Sequence, residues 1–139
     1  MKKLFLDTNI LADLVMSRID WLAEAKALFT LAADGSLALY ATPNSIATLA
    51  YILGKKNEAY AVKTALRSLC SRMTIIPITA QHIDLAMEQE NGFSDPEDAM
   101  QYFAALSADC EVIITRDQHD FRNATLPAMD AKAFLAQST

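Results

Sequence analysis

The sequence has little glycine, proline and cysteine, and it contains no long apolar run. Only three glycines and four prolines occur in 139 residues, which favours long regular elements over loops. The two cysteines, Cys70 and Cys110, lie far apart in the sequence and have neither the spacing of a zinc site nor that of a disulfide framework. No apolar stretch reaches the roughly 18 residues that a membrane-spanning helix requires. We therefore expect no membrane partner.

Positive charge is also scarce, with 12 basic against 17 acidic residues and a formal net charge of −5. A protein that holds nucleic acid through phosphate neutralisation alone is usually basic. A nucleic-acid partner would therefore require a metal ion or a local basic patch. Lysines 2 and 3 precede a short apolar run, as in a signal peptide, but Asp7 and Asn9 interrupt that run. We expect a cytoplasmic protein.

The remaining composition predicts one packed domain spanning residues 1–139, because 53% of the residues are hydrophobic. The predicted strands are Leu4–Leu6, Leu37–Ala41, Met73–Ile76, Glu111–Thr115 and Pro127–Met129. The predicted helices are Asn9–Met16, Asp20–Ala32, Ser45–Leu53, Asn57–Cys70, Thr79–Glu90, Ser94–Asp109 and Asp130–Leu135. Because strands alternate with helices, we expect a three-layer α/β/α sandwich around a mostly parallel sheet of about five strands.

The first predicted strand ends on Asp7, directly after the apolar run Leu4-Phe5-Leu6. A short continuous apolar run is typical of a strand that is buried on both faces. In an open parallel sheet, ligands bind in the crevice beyond the carboxyl ends of the strands. Asp7 is therefore a candidate functional residue, although Asp7 or Thr8 would also suit a simple helix cap.

Four further aspartates fall on segments that lead to the same edge of the predicted sheet. Asp95 and Asp98 open the helix before the fourth strand, while Asp117 and Asp120 follow that strand. If the first and fourth strands are neighbours, these carboxylates converge with Asp7 on one crevice. Each acid has an alternative capping role, and Asp-Pro-Glu-Asp is a nearly ideal helix start.

A cluster of carboxylates has a further consequence. Neighbouring carboxylates repel and raise one another's pKa, so a cluster stays ionised only beside a cation. Oxygen ligands without His or Cys favour Mg²⁺ or Mn²⁺ over zinc. Acid clusters with such metals carry out phosphodiester hydrolysis.

Three stretches of the chain resemble the three acidic motifs of PIN domains, in the same order and at similar spacing. These stretches are Leu4–Leu11, Asp95–Ala99 and Ile113–Phe121. The resemblance covers essentially the whole chain and implies a PIN-like fold with metal-dependent ribonuclease activity on RNA. Many small bacterial PIN proteins are similar to VapC-type toxins, which implies an antitoxin partner.

The resemblance also implies roles for particular residues. The implied catalytic and metal-binding acids are Asp7, Asp98 and Asp117, with Asp120 as a fourth metal ligand or supporting acid. Asn9, Thr115 and Asp95 are the implied supporting residues, with Asn9 and Thr115 orienting carboxylates or water. Mg²⁺ or Mn²⁺ is the implied cofactor.

One departure from the family pattern lies in the helix after the second strand, where many PIN domains carry a glutamate. Thr48 stands at that place, so one negative charge is missing and the number of bound metals stays open. A catalytically weak or inactive module that binds RNA or protein is therefore an alternative. A haloacid-dehalogenase-like phosphatase is a second alternative. The nucleophilic aspartate of such enzymes is normally followed two residues later by another aspartate, and Asn9 stands at that position here.

Two further expectations concern side chains outside the acidic motifs. His119 lies between two of the acids and would suit a general base, but a solvent-exposed turn histidine fits the pattern better. The apolar surplus and the resemblance to small PIN proteins favour a homodimer. Helix positions from Trp21 to Phe29, or Ile52, are its candidate contacts.

Overall fold

The computed structural model describes residues 1–137 as five strands, seven α-helices and one 3₁₀ turn. The strands are β1 (Lys2–Leu6), β2 (Leu37–Ala41), β3 (Thr74–Ile75), β4 (Val112–Ile114) and β5 (Ala128–Met129). The helices are α1 (Thr8–Val15), α2 (Leu22–Ala33), α3 (Pro43–Gly54), α4 (Ala59–Cys70), α5 (Ala80–Ala86), α6 (Pro96–Ser107) and α7 (Ala131–Gln137). The 3₁₀ turn is Gln118–Phe121.

The five strands form one sheet in the order β3-β2-β1-β4-β5, and every neighbouring pair is parallel. Strand β1 is therefore central, with β2 on one side and β4 on the other. The prediction of a three-layer α/β fold with a parallel sheet of about five strands is confirmed. Within residues 1–137, no helix is long and apolar enough to cross a membrane.

The central strand β1 buries side chains on both faces of the sheet, as its continuous apolar run predicts. Leu4 and Leu6 point into a core layer shared with helices α1 to α4 and α7. Phe5 points into the opposite layer, where it joins Tyr102 of α6 and Phe121 of the 3₁₀ turn. Helix α5 packs on α6. Side chains therefore pack against both faces of the sheet around β1.

Helix α5 ends earlier than predicted, at Ala86 instead of Glu90. The Asn91 side-chain nitrogen donates to the carbonyl oxygens of Leu85 and Ala86, at 2.9 and 3.1 Å. These bonds satisfy carbonyl groups that the helix end leaves without partners. The side chain of Asn91 thus replaces the last turn of the predicted helix.

The predicted dimer contacts do not all lie on the surface. Phe29 is buried in the core layer beside β1, and Ile52 is only half-exposed. Trp21 is 42% exposed and remains a candidate contact. The Phe29 side chain packs in the core, so it is not available for the predicted dimer contact.

Candidate active site at the carboxyl edge of the sheet

The strand register places the ends of β1, β2 and β4 at one edge of the sheet. Leu6 pairs with Ile114, and the Asp7 backbone N–H donates to the Ile114 carbonyl oxygen at 3.0 Å. Asp7 follows β1, and Thr115 follows β4 directly. Helix α6 begins at this edge, because the charge of Asp7 is among those that raise the pKa of Asp98 in the first turn of α6. Asp7, Asp98 and Asp117 therefore lie near one another at this edge.

Asp7 is buried at this edge of the sheet and is 7% exposed. Its carboxylate accepts hydrogen bonds from the Thr115 hydroxyl and from the Thr8 backbone N–H, both at 2.8 Å. Burial raises the pKa of Asp7 above its ordinary value. The hydrogen bonds from Thr115, Thr8 and Gln101 oppose this rise, and the negative charge of Asp117 adds to it. Asp7 is thus a buried acid whose ionised form needs nearby donors or a cation.

The Asn9 side chain links Asp7, which follows β1, to Asp117, which follows β4. Its amide nitrogen lies 3.1 Å from Asp117 Oδ2 and 3.4 Å from Asp7 Oδ2. Its amide oxygen accepts from the Arg116 backbone N–H at 3.3 Å. Thr115 makes a second link, because its hydroxyl donates to Asp7 and accepts from the Asp117 backbone N–H at 3.0 Å. These polar links hold Asp7 and Asp117 in a fixed relation.

Asp98, in the first turn of α6, has the most perturbed carboxyl group of the site. Burial raises its pKa to about 7, and the negative charges of Asp95, Asp7, Asp120 and Glu97 contribute to the rise. Four acids from three segments therefore act on this carboxyl group. Near neutral pH, Asp98 is divided between its protonated and ionised forms, which makes it responsive to a nearby cation.

The acids at this edge do not form a dense chelate. Within residues 1–137, no group of three or more His, Cys, Asp or Glu side chains is gathered closely enough to hold a metal ion directly. Mg²⁺ often keeps several waters and binds through only one or two carboxylates. The arrangement therefore fits a hydrated ion better than one ligated by three carboxylates.

Two buried polar atoms at the site lack partners within the described part of the chain, namely Thr42 Oγ1 and Gln101 Oε1. Thr42 follows β2 as Asp7 follows β1, and Gln101 lies close enough to Asp7 to lower the pKa of that carboxyl group. Buried polar atoms are almost always hydrogen-bonded to protein or ordered water.

Sequence reasoning missed three polar residues of the site. Ser45 is fully buried, and its hydroxyl shares a 2.6 Å hydrogen bond with the Thr8 hydroxyl. Helix α3 therefore contacts the site through Ser45. Thr48, on the same helix, is half-buried. Thr42, which precedes α3, is also fully buried. The signal for Gln101 was available, because it lies three positions after Asp98 on the same face of α6.

A second polar cluster, also missed, supports the segment that carries Asp117. Asp13 of α1 is 1% exposed and accepts hydrogen bonds from Arg116 Nε and Nη2, both at 3.0 Å. Arg18 Nη1 lies 3.5 Å from the same carboxylate. The Arg116 guanidinium stacks on the Trp21 ring at 3.8 Å. This cluster fixes residue 116, so it also constrains its neighbour Asp117.

The other singled-out residues lie at the rim. Asp117, Asp120 and His119 are exposed, and His119 lies in the 3₁₀ turn, where its backbone carbonyl accepts from Arg122 at 2.8 Å. Asp95 caps α6 through a 2.8 Å bond from the Glu97 backbone N–H. The observed contacts of Asp95 are therefore those of a helix cap. Its negative charge also contributes to the raised pKa of Asp98.

The fold is similar to that of several solved structures. DNA-bound VapBC from Salmonella typhimurium superposes with a TM-score of 0.72 at 17% identity, covering 94% of this chain and 99% of that one. VapC20 from Mycobacterium tuberculosis, described as a Sarcin-Ricin loop cleaving toxin, gives 0.66 at 17%, covering 88% and 95%. A toxin–antitoxin complex from Klebsiella pneumoniae gives 0.62 at 26%, covering 91% and 96%.

The family model described as PIN domain matches residues 3–119. The chain therefore belongs to the PIN domain family, and the resemblance carried by its three acidic motifs is confirmed. A comparison with curated proteins found no match.

Proposed function

We propose that this protein is a ribonuclease that uses Mg²⁺ or Mn²⁺ and acts as the toxin of a toxin–antitoxin pair. The observation that carries the proposal is the linked pair of acids, Asp7 and Asp117, joined through Asn9 and Thr115 at the carboxyl edge of the sheet. Membership of the PIN family and the likeness to VapC-type toxins support the same reaction class.

Asp7 and Asp117 are the residues that would hold the cation, with Asp98 and Asp120 beside them as further acids. When bound, the cation would activate a water molecule and stabilise charge on the scissile phosphate.

The protein groups have distinct tasks in this proposal. Asn9 and Thr115 hold the carboxylates of Asp7 and Asp117 in orientation through hydrogen bonds of 2.8 to 3.4 Å. The Asp98 carboxyl group, with a pKa of about 7, can hold or release a proton at working pH. The acidic balance of the chain, −5, repels RNA, so the cation must offset this repulsion where the phosphate binds.

The solved likenesses include the toxin–antitoxin complex from Klebsiella pneumoniae described above. We propose by analogy that an antitoxin covers this protein, and that the protein forms a homodimer. Exposed apolar side chains at Ile19, Tyr51 and Tyr60 are available for such contacts.

Cleavage of a fluorescent single-stranded RNA tests the proposed activity. We expect the purified protein to cut the RNA with Mg²⁺ or Mn²⁺ and to stop when EDTA removes the metal, because the acids alone have no means of polarising a phosphate. Cleavage that persists in EDTA would contradict the metal mechanism. The absence of cleavage with every metal and RNA tested would favour the binding-module alternative, for which Thr48 is the first suspect.

A further inference from the structure

Charge is distributed unevenly along this acidic chain. Residues 84–130 contain 11 acidic and two basic residues, which gives a local net charge of −9, and they include Asp98 and Asp117 of the candidate site. Residues 55–72 contain five basic residues and one acidic residue, which gives a local net charge of +4. This positive segment extends from the end of α3 through α4. The chain thus contains the local basic patch that an acidic protein needs in order to bind nucleic acid.

The positive segment has a regular face on α4. A groove on the surface of this helix is lined by Tyr60, Lys63, Thr64, Arg67, Ser68 and Ser71. Residues that recur every three or four positions share one side of a helix, and all six of these residues are exposed. Arg72 adds a further cation, because its Nη2 donates to the Ser68 hydroxyl at 3.3 Å. We call the six residues that line the groove the basic face of α4.

The positive charges of the basic face have no acidic partners. Within residues 1–137, the ion pairs join Arg18 and Arg116 to Asp13, and none involves α4. Lys63 and Arg67 are four positions apart, where two like charges slightly destabilise a helix. Helix α4 contains no acidic residue to offset them. These cations therefore contribute no internal ion pair and are available to an anionic partner.

An exposed tyrosine lies among the cations. Tyr60 is 82% exposed and lines the groove together with Lys63 and Arg67. Single-stranded nucleic acids bind to surfaces that combine a positive groove with aromatic rings on which bases stack. Tyr51, near the end of α3, is 68% exposed, and Lys55 Nζ lies 4.7 Å from the centre of its ring. This pairing of rings with cations favours single-stranded RNA over an acidic protein, which has no bases to stack.

Helix α3 connects the basic face to the candidate site. Ser45, in the first turn of α3, hydrogen-bonds Thr8, the chain neighbour of Asp7. The 12 residues of α3 span about 18 Å, and α4 packs against this helix. At a rise of about 3.4 Å per nucleotide, as in one strand of a duplex, a strand of about six nucleotides covers this length. One short RNA can therefore contact both the acids and α4.

We propose that the basic face of α4 binds the backbone of single-stranded RNA and holds the substrate beside the acidic site. Lys63 and Arg67 neutralise phosphates away from the scissile one, and the ring of Tyr60 stacks on a base. The inference deepens the proposed function and rests on it, because it identifies the bound strand as the substrate. It also explains how a chain with a net charge of −5 attracts a polyanion at a distance from the cation.

The test is fluorescence anisotropy of a labelled single-stranded RNA, titrated with protein in EDTA at several salt concentrations. Lys63→Glu/Arg67→Glu should weaken binding at least about tenfold. It should also lower the slope of log affinity against log salt by about 1.4, because each phosphate contact on a single strand contributes about 0.7. Tyr60→Ala should weaken binding about fivefold or more without changing the slope, since base stacking involves no counterion release.

Lys2→Glu/Lys132→Glu is the matched control, because both lysines are exposed outside α3 and α4 and the change in net charge is the same. This variant should keep the wild-type salt slope and an affinity within a few-fold of wild type. Equal weakening in the two double variants, or wild-type affinity in Lys63→Glu/Arg67→Glu, would overturn the proposal. A wild type that binds no RNA in EDTA would also overturn it and would leave the face to an acidic protein. If the charge-reversed variant fails to fold, Lys63→Gln/Arg67→Gln takes its place with the same change in slope.

Cleavage kinetics separate the failure of this inference from that of the proposed function. With Mn²⁺, Lys63→Glu/Arg67→Glu should raise KM about tenfold and leave kcat close to wild type, because substrate binding is weakened while the acids are unchanged. A lower kcat at unchanged KM would contradict a role in holding the substrate. A wild type that binds RNA through this face in EDTA but cleaves none with any metal would reject the ribonuclease and retain the RNA-binding face.

Discussion

Replacement of Asp7 by asparagine should lower RNA cleavage by about 100-fold or more, because changes to residues that only support metal ligands already cost up to that factor. Asparagine keeps the size of the side chain and removes the charge that would hold the cation. The fold should persist, since burial and the Asp117 charge already disfavour the ionised Asp7 carboxylate in the metal-free protein. The thermal unfolding temperature in EDTA should equal or slightly exceed that of wild type.

The matched control for this substitution is Asp84→Asn. Asp84 is exposed on α5, so the same chemical change there should leave both cleavage and unfolding close to wild type. The measurement is the initial rate of cleavage at saturating Mn²⁺, alongside thermal unfolding. A rate within a few-fold of wild type for Asp7→Asn would show that the cleaving centre lies elsewhere.

The second large effect is expected at the buried ion pair between Asp13 and Arg116. Arg116→Met leaves the 1% exposed Asp13 carboxylate with only Arg18, at 3.5 Å. Removal of one partner of a buried pair typically lowers the free energy of unfolding by about 3–5 kcal/mol, and the remaining Arg18 contact argues for about 3 kcal/mol. Urea unfolding should show this loss as a lower midpoint with an unchanged slope.

A double substitution separates the pair energy from simple loss of packing. Asp13→Asn combined with Arg116→Met removes both charges, and most of the lost stability should return. Arg122→Met is the control, because Arg122 is an exposed arginine in the same segment and should change stability by no more than about 0.5 kcal/mol. Equal losses in Arg116→Met and Arg122→Met would contradict a special role for the buried pair.

The sequence predicted the sheet well because each element carried a local signal. The apolar run before Asp7 is buried on both faces, as expected of a central strand in a parallel sheet. The end of α5 was predicted wrongly because the side chain of Asn91 reaches back to the last carbonyl groups. Such a bond depends on the path of the chain after the helix, which residue spacing alone does not determine.

The site was predictable only in part. Aspartates that follow strands or open a helix mark the edge of a parallel sheet, so Asp7, Asp98 and Asp117 were identifiable from order and spacing. The pair of Asp13 and Arg116 joins residues 103 positions apart, and no local pattern indicates it. No sequence pattern indicated the burial of Gln101, whose amide oxygen is unpaired within residues 1–137.

The raised pKa of Asp98 links cation binding to pH. Its folded-state pKa is about 7 against an ordinary value of 3.8, so the folded protein holds a proton that the unfolded chain releases across this window. The stabilising contribution of the protonated form is complete below about pH 4 and is lost as pH rises through about 7. A cation that favours the ionised carboxylate should therefore bind more tightly at pH 8 than at pH 6 and should displace protons at the lower pH.

A calorimetric titration of Mn²⁺ into the metal-free wild type at pH 6 and pH 8, with Asp7→Asn beside it, tests the central claim most directly. The account predicts saturable binding by wild type, tighter at pH 8 than at pH 6, and at least about tenfold weaker binding by Asp7→Asn. Absence of binding by wild type at both pH values, or identical affinity in wild type and Asp7→Asn, would contradict a cation site at the carboxyl edge of this sheet.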